Sequence, residues 1–360
     1  MRVLSLFDGM SCGMQALKNL GIPVSEYHAF EIDKYAIAVS KKNHPEIIQH
    51  GSVVGADFSQ FKDFDLLLAG SPCQGFSFAG KQLAFDDPRS KLFFEFVRAL
   101  QEAKPKNFML ENVNMKKEYL DIISKYCGVS PVMVNSNLVS AQNRKRWYWS
   151  NLPITQPQDK GILLKDIVHE NTWTDTEKSY CIDANYHKGG NANQYYSKSR
   201  RQQVYDIISE YIVPFDKTLQ ILDKEVEKGK IGYFRKDSQA NRVYFIHDKA
   251  ITLCGDAGGG AAKMGQYLFG CITPDRIEKR QNGQRFSEGK KFYTLTAQDK
   301  HGILIEGYIR KLTPIECERL QTLPDNYTLC DGVSNTQRYK MNGNGWNVKT
   351  IENNLKTLKG

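Results

Sequence analysis

The sequence predicts an α/β fold, a doubly wound and mostly parallel sheet, accompanied by a second, smaller domain of irregular, β-rich character. Three observations predict it. Short apolar runs alternate with amphipathic stretches as far as residue 150; a segment rich in Lys, Gly, Asn, Gln and Tyr then follows; and periodic order returns at Arg310. The boundaries expected from these shifts are 1–165 for the sheet domain, 166–309 for the second domain and 310–360 for a segment that returns to the first.

The first strand is Arg2-Val3-Leu4-Ser5-Leu6-Phe7, which runs directly into Asp8-Gly9 and an amphipathic stretch from Met14 to Leu20. A second strand reads at Tyr27-His28-Ala29-Phe30-Glu31, and two short, buried ones at Asp65–Ala69 and Asn107–Leu110. Between those two, Leu92 to Leu100 has helical apolar spacing. In the middle region a helical period is expected only around Val204 to Lys228. Near the end, Thr313-Pro314-Ile315-Glu316 reads as a helix start, with Thr313 as cap, Pro314 in the first turn and Glu316 closing a capping box.

Lys and Arg number 49 against 40 for Asp and Glu, so the surface should attract polyanions. No apolar stretch follows a charged start, and no apolar run is long enough to cross a bilayer, so a cytoplasmic protein is expected. The eight cysteines are scattered without a Cys-x-x-Cys pair or a histidine at ligand spacing, so no metal site is expected. Most cysteines in a reducing compartment are small buried hydrophobes, and a reactive one needs special context.

Phe7-Asp8-Gly9-Met10-Ser11-Cys12-Gly13, between a strand and a helix, suits a nucleotide-like ligand approaching the backbone at a helix N-terminus, or else a tight packed turn. Glu31 ends the second strand where α/β folds place a ribose-binding acid, or is a solvated carboxylate. Further along come Gly70-Ser71-Pro72-Cys73-Gln74-Gly75-Phe76-Ser77 after a buried strand, Glu111-Asn112-Val113, Gln142-Asn143-Arg144-Lys145-Arg146 and Arg310-Lys311-Leu312-Thr313-Pro314.

This ordered series resembles the DNA cytosine-5 methyltransferase family of bacterial or phage type, over residues 2 to 150 and 310 to 350. The resemblance implies a class I methyltransferase (Rossmann-like) catalytic domain, a target-recognition domain at 166–309, S-adenosylmethionine as methyl donor and double-stranded DNA as substrate for a monomer. It also implies the setting of a restriction-modification system, or else a solitary or prophage-borne enzyme without a partner endonuclease. By the same resemblance Phe7, Asp8, Gly9, Met10, Glu31, Ile32, Val53, Pro72, Leu92, Asn344 and Trp346 contact the cofactor.

The chain departs from the family pattern in three places. Cys12 stands where a glycine is common, Ser52 stands where an acid meets the adenine amine, and Gly343-Asn344-Gly345-Trp346 replaces Gly-Asn-Ser-Val or Gly-Asn-Ala-Val. All three bear on the cofactor pocket, with Asp57 a candidate substitute for the missing acid.

The chemistry explains the residue types. Carbon 5 of cytosine is too weak a nucleophile to take a methyl group from a sulfonium until a nucleophile adds to carbon 6, and a thiolate suits that addition. Cys73, beside Pro72 and near an expected helix N-terminus, is the candidate. Addition pushes electrons toward N3, where Glu111 would act as acid or hydrogen-bond partner while accepting from the exocyclic amine. Arg144 and Arg146 share one side if that segment is extended, and would converge on the base and its phosphate. By resemblance Arg146 meets the cytosine O2, and Arg144 holds the loop and backbone or simply attracts phosphate. Attack from above the ring requires the base to leave the stack.

Gln74 and Ser77 belong to a loop expected to close on the flipped base and reach the DNA, with Gln142 another expected contact. Base reading would fall between Arg235 and His301, with Arg242 and either Thr252 or Thr294 (each before a Leu) as candidates. A tRNA cytosine-5 methyltransferase shares the catalytic motifs, though that branch resembles a more compact chain. A catalytically silent DNA-binding regulator should lack Cys73, Glu111 or the arginines, and all are present.

Overall fold

The computed structural model describes residues 1–71, 91–170, 172–189, 195, 198–207 and 307–359, with short strands at 212–214, 219–221, 230–234, 242–245, 266–268, 271–272, 286–287 and 302–304. Pro72, Cys73, Gln74, Ser77, Thr252 and Thr294 lie outside the described residues, as does the side chain of Arg242. The chain divides into two units: Met1–Ile167 with Thr176–His187 and Thr313–Gly360, and Val168–Asp175 with Lys188–Leu312.

The first unit is built on a seven-stranded sheet: β1 (Arg2–Leu6), β2 (Glu26–Phe30), β3 (Ile48–Gln49), β4 (Leu66–Ala69), β5 (Asn107–Val113), β6 (Val132–Asn135) and β7 (Lys145–Ser150). Their order is β3-β2-β1-β4-β5-β7-β6, with the first five parallel and β7 antiparallel to both neighbours. Both faces are covered, which is why β4 reads as an unbroken apolar run, Leu66-Leu67-Leu68-Ala69, buried throughout.

Alternate residues serve two cores. Val3, Leu66, Leu68, Met109, Val134 and Tyr148 pack with α1 (Cys12–Leu20), α2 (Lys34–Asn43) and the returning C-terminal segment. Leu4, Leu67, Phe108, Leu110 and Trp149 pack with α3 (Lys91–Ala103) and α4 (Lys117–Cys127). The return consists of α5 (Pro314–Leu320), α6 (Asn335–Asn344) and α7 (Val348–Leu355), with α7 against α1. Thr313 caps α5 as the sequence predicts: its hydroxyl accepts from the Glu316 amide at 3.2 Å, and Glu316 accepts from the Thr313 amide at 2.7 Å.

Two differences from the sequence-based expectation have physical causes. The strand expected at 107–110 continues to Val113, because β7 supplies partners for its last residues, Glu111 opposite Tyr148 and Val113 opposite Arg146. The helical period expected from Val204 to Lys228 is replaced by strands at Gln203–Ile207, Ile212–Pro214 and Leu219–Ile221. Val204, Tyr205, Ile207, Ile212 and Val213 are β-branched or aromatic, and pairing of 203–207 with Gly307–Lys311 and of Ile212–Pro214 with Gly302–Leu304 overrides the spacing. The described strands of the second unit form a three-stranded antiparallel sheet and two four-stranded ones. Arg242 opens one such strand, Arg242–Phe245.

Candidate active site

The turn after β1 stands on strained backbone. Phe7 and Ser11 hold φ of 57° and 63°, the left-handed region that costs a residue with a side chain on the order of 1–3 kcal/mol, and Gly9 holds 60°. The Asp8 carboxylate keeps it there, accepting from Ser5 Oγ at 2.6 Å, from Tyr27 Oη at 2.7 Å and from Ser11 Oγ. Burial raises the Asp8 pKa, its hydroxyl donors oppose that, and the Glu31 charge adds to it. Asp8, expected at the cofactor, thus spends its carboxylate on the turn itself.

Glu31 clamps the same turn to the end of β2. Its Oε2 accepts from the Gly9 amide, and its Oε1 from the Ile32 and Asp33 amides, all at 2.8 Å. Ile32 beside it is 77% exposed, an apolar side chain standing free at a strand end. Val53 is buried with Phe30 and Phe58, and Leu92 packs partly buried against the same cluster. Ser52 Oγ accepts from the Val54 amide at 3.1 Å, and Asp57 caps a 3-10 turn by accepting from the Ser59 amide at 3.0 Å. Sequence reasoning missed Arg98, which lies over the Phe58 ring and donates to the carbonyls of Val53 and Ala56, shaping this loop.

Met10, the other end of the turn, is pinned through its carbonyl. Tyr327 Oη donates to it at 2.9 Å and so accepts from His44 Nε2 at 3.1 Å, which fixes the neutral tautomer with a bare Nδ1. Burial pushes His44 down to about 4; Glu46, 3.9 Å from Nδ1, opposes the shift and Lys18 adds to it. The unfolded chain takes up this proton near the ordinary histidine pKa, so stability is expected to fall as the pH drops from about 6.5 toward 4, by at most about 3 kcal/mol. Urea unfolding of His44→Gln across that range should show a flatter pH slope than the wild type, and an unchanged slope would refute the assignment.

Glu111 follows the point where β4 ends beside β5, with Ala69 opposite Leu110. Asn112 Nδ2 donates to Ser71 Oγ at 3.2 Å, tying the Glu-Asn-Val strand end to the residue that leads into Pro72-Cys73. Glu111 is buried, 8% exposed. Arg146 lies diagonally across the β5–β7 ladder, two positions from the residue opposite Glu111, and its Nε meets Glu111 Oε1 at 2.8 Å. The Trp346 indole donates to Glu111 Oε2 at 3.1 Å.

Arg144 has a different task. Fully enclosed, it donates to the carbonyls of Gly345 at 2.8 Å, Gly343 at 3.3 Å and Ile182 at 3.4 Å, which joins the end of α6 to the 181–183 segment. A cation at a helix C-terminus is favourable there. The approach is close enough that a side chain at Gly343 would strike the backbone of Asp183 and Ala184. Gln142, expected at the DNA, is fully buried and accepts from the Ile182 amide at 3.2 Å. Asn344 is exposed at the end of α6, and the Trp346 side chain is half-buried.

These residues fit an adenosine-bearing methyl donor. Among the described residues an added Cβ at Gly9 would meet nothing within 4 Å; an acid ends β2; an apolar Ile32 stands exposed; and the N-cap of α1, Ser11, makes no side-chain cap. The described residues contain no group of three or more His, Cys, Asp or Glu able to hold a metal ion. No helix among them is long and apolar enough to cross a membrane.

A seven-stranded sheet with this strand order, a glycine turn after β1 and an acid after β2 is the fold of class I methyltransferases. The chain belongs to the C-5 cytosine-specific DNA methylase family, whose sequence model matches residues 1–360. Family and fold imply S-adenosylmethionine as donor and DNA as substrate. The chain is 27% identical to the orphan methyltransferase M.SPRI of Bacillus phage SPR, over 99% of this chain and 97% of the phage enzyme. It is 25% identical to the type II methyltransferase M.HhaI of Haemophilus parahaemolyticus, over 98% and 92%. Among solved structures, the Entamoeba histolytica methyltransferase EhMeth shares the fold, with a TM-score of 0.56 at 14% identity over 98% of this chain and 96% of that one.

Proposed function

We propose that this enzyme methylates carbon 5 of a cytosine rotated out of double-stranded DNA, with Cys73 as the nucleophile at carbon 6 and Glu111 as the group that meets N3. The observation that carries this reading is the buried Glu111, held by Arg146 on the strand end that Asn112 ties to Ser71, two residues before Cys73. Attack by the Cys73 thiolate forms a sulfur–carbon 6 bond and moves the 5,6-double-bond electrons into the ring. Glu111, acting as the protonated acid, donates its proton to N3, and its other oxygen accepts from the exocyclic amine, which thymine lacks. Arg146, on the same carboxylate, faces the base through O2. S-adenosylmethionine, when bound, supplies an electrophilic methyl group on a sulfonium. Removal of the carbon 5 proton afterwards restores the 5,6-double bond and expels the Cys73 thiolate, and N3 returns its proton to Glu111.

Glu31, Ile32 and the Gly9 turn hold the adenosine in this reading, with Val53, Leu92, Asn344 and Trp346 around it. Asp8 acts by keeping the turn in shape. Residues 166–309 read the sequence, through Arg242 and one of Thr252 or Thr294, and Gln74 and Ser77 close on the flipped base. The protein works as a monomer on DNA in the cytoplasm.

Duplex DNA carrying 5-fluorocytosine at the recognised site tests the reading, because fluorine cannot leave carbon 5 as a proton does. A covalent complex is expected when S-adenosylmethionine is present. An adduct on tRNA with none on any duplex would replace the DNA reading with the tRNA one.

A further inference from the structure

We propose that Trp346 is a positioning residue for the catalytic carboxyl group, its indole N–H holding Glu111 in the orientation the cytosine edge requires. This rests on the reading of Glu111 as the group that meets N3. The last torsion of a glutamate joins an sp³ to an sp² carbon and is broad, so a carboxylate gripped at one oxygen still turns about that bond. Arg146 reaches Oε1 through Nε at 2.8 Å, and Trp346 reaches Oε2 through Nε1 at 3.1 Å. One donor on each oxygen, from separate parts of the chain, fixes the carboxylate plane. Each oxygen keeps a further lone-pair site for the base, so both donors stay in place while N3 and the amine are met.

The surroundings are shaped for the indole. A Cβ at Gly70 would lie 2.8 Å from Trp346 Nε1 and 3.1 Å from Cζ2, so the residue before Ser71-Pro72-Cys73 must lack a side chain for the ring to stand there. Gly70 has no left-handed φ, and its reason is therefore space rather than backbone conformation. The ring also packs toward Gly13, whose Cβ would be 3.5 Å from Cζ3. The backbone leading into Trp346 is pinned at Gly345, by Arg144 on its carbonyl and by its amide donating to the Met341 carbonyl at 2.7 Å. The valine usual in the family motif has no donor to offer a carboxylate. The departure to Gly-Trp thus supplies a hydrogen bond that this position otherwise lacks.

Trp346→Phe keeps an aromatic ring and removes the N–H. Its kcat should fall about 10- to 100-fold, the range for a hydrogen bond to a charged group, while KM for S-adenosylmethionine stays within about threefold because the ring face beside the adenosine is kept. Combined with Glu111→Gln it should add no further loss, because both changes break one interaction. Gly70→Ala should lower kcat in the Trp346 background yet add nothing to Trp346→Val, where the space is free. Activity is not the only readout. In ¹⁵N-labelled protein, one of four tryptophan indole resonances should move on Glu111→Gln and vanish in Trp346→Phe.

A Trp346→Phe enzyme with kcat within about twofold of wild type, or with KM for S-adenosylmethionine raised and kcat kept, would overturn the positioning role while leaving Glu111 in place. Full transfer by Glu111→Gln would overturn the reading of Glu111 and this inference with it.

Discussion

Replacing Cys73 by alanine is expected to abolish methyl transfer, a loss of at least about 10⁴-fold in kcat, while leaving duplex binding measurable in a gel shift at fixed salt. Removing the thiolate leaves no group to activate carbon 5, whereas phosphate and base contacts elsewhere are untouched. Three of the other cysteines are poor substitutes. Burial pushes the thiols of Cys12 and Cys127 up to about 12, so both stay protonated at neutral pH, and Cys317 is fully buried. Peptide mapping of the 5-fluorocytosine adduct should place the bond on Cys73 alone among eight cysteines. Retained transfer in Cys73→Ala, or an adduct on another cysteine, would remove the assigned nucleophile.

Glu111→Gln is the second large effect, expected at about 10²–10⁴-fold in kcat, the usual contribution of a positioned proton donor. Glutamine keeps the length and one acceptor but carries no acidic proton, and it leaves Arg146 without the anion it meets at 2.8 Å. Because the change lies at the base and not in the adenosine pocket, KM for S-adenosylmethionine should hold. Discrimination against thymine in a binding assay with abasic and mispaired targets should weaken together with kcat. A variant that loses cofactor affinity but keeps turnover would show that Glu111 serves the fold or the cofactor instead.

The motifs that propose the acid and the nucleophile were legible because the chemistry restricts their residue types and order. The cofactor turn was legible for the same reason, but the uses of its side chains were not. Asp8 faces three hydroxyls and holds a strained turn, while Glu31 fastens that turn through backbone amides. Arg144 and Arg146, adjacent on one face by alternation, part company because the chain returns beneath Arg144 to offer carbonyls, while the ladder brings Glu111 to Arg146. Nothing in the spacing near either arginine encodes that return.

By itself the sequence determined what is local: apolar runs that form the buried strands, the Thr313–Glu316 capping box, the glycine turn, and the residue types of cytosine-5 chemistry. These depend on side-chain alternation and on hydrogen bonds spanning a few residues. Tertiary structure alone decided that Val204–Ile207 forms a strand, that β5 extends through Glu111, and that Trp346 meets that glutamate across 235 positions of sequence. Each of those needs a partner strand or a returning segment. No local pattern specifies such a partner, and the free energy of pairing outweighs the propensities that read otherwise.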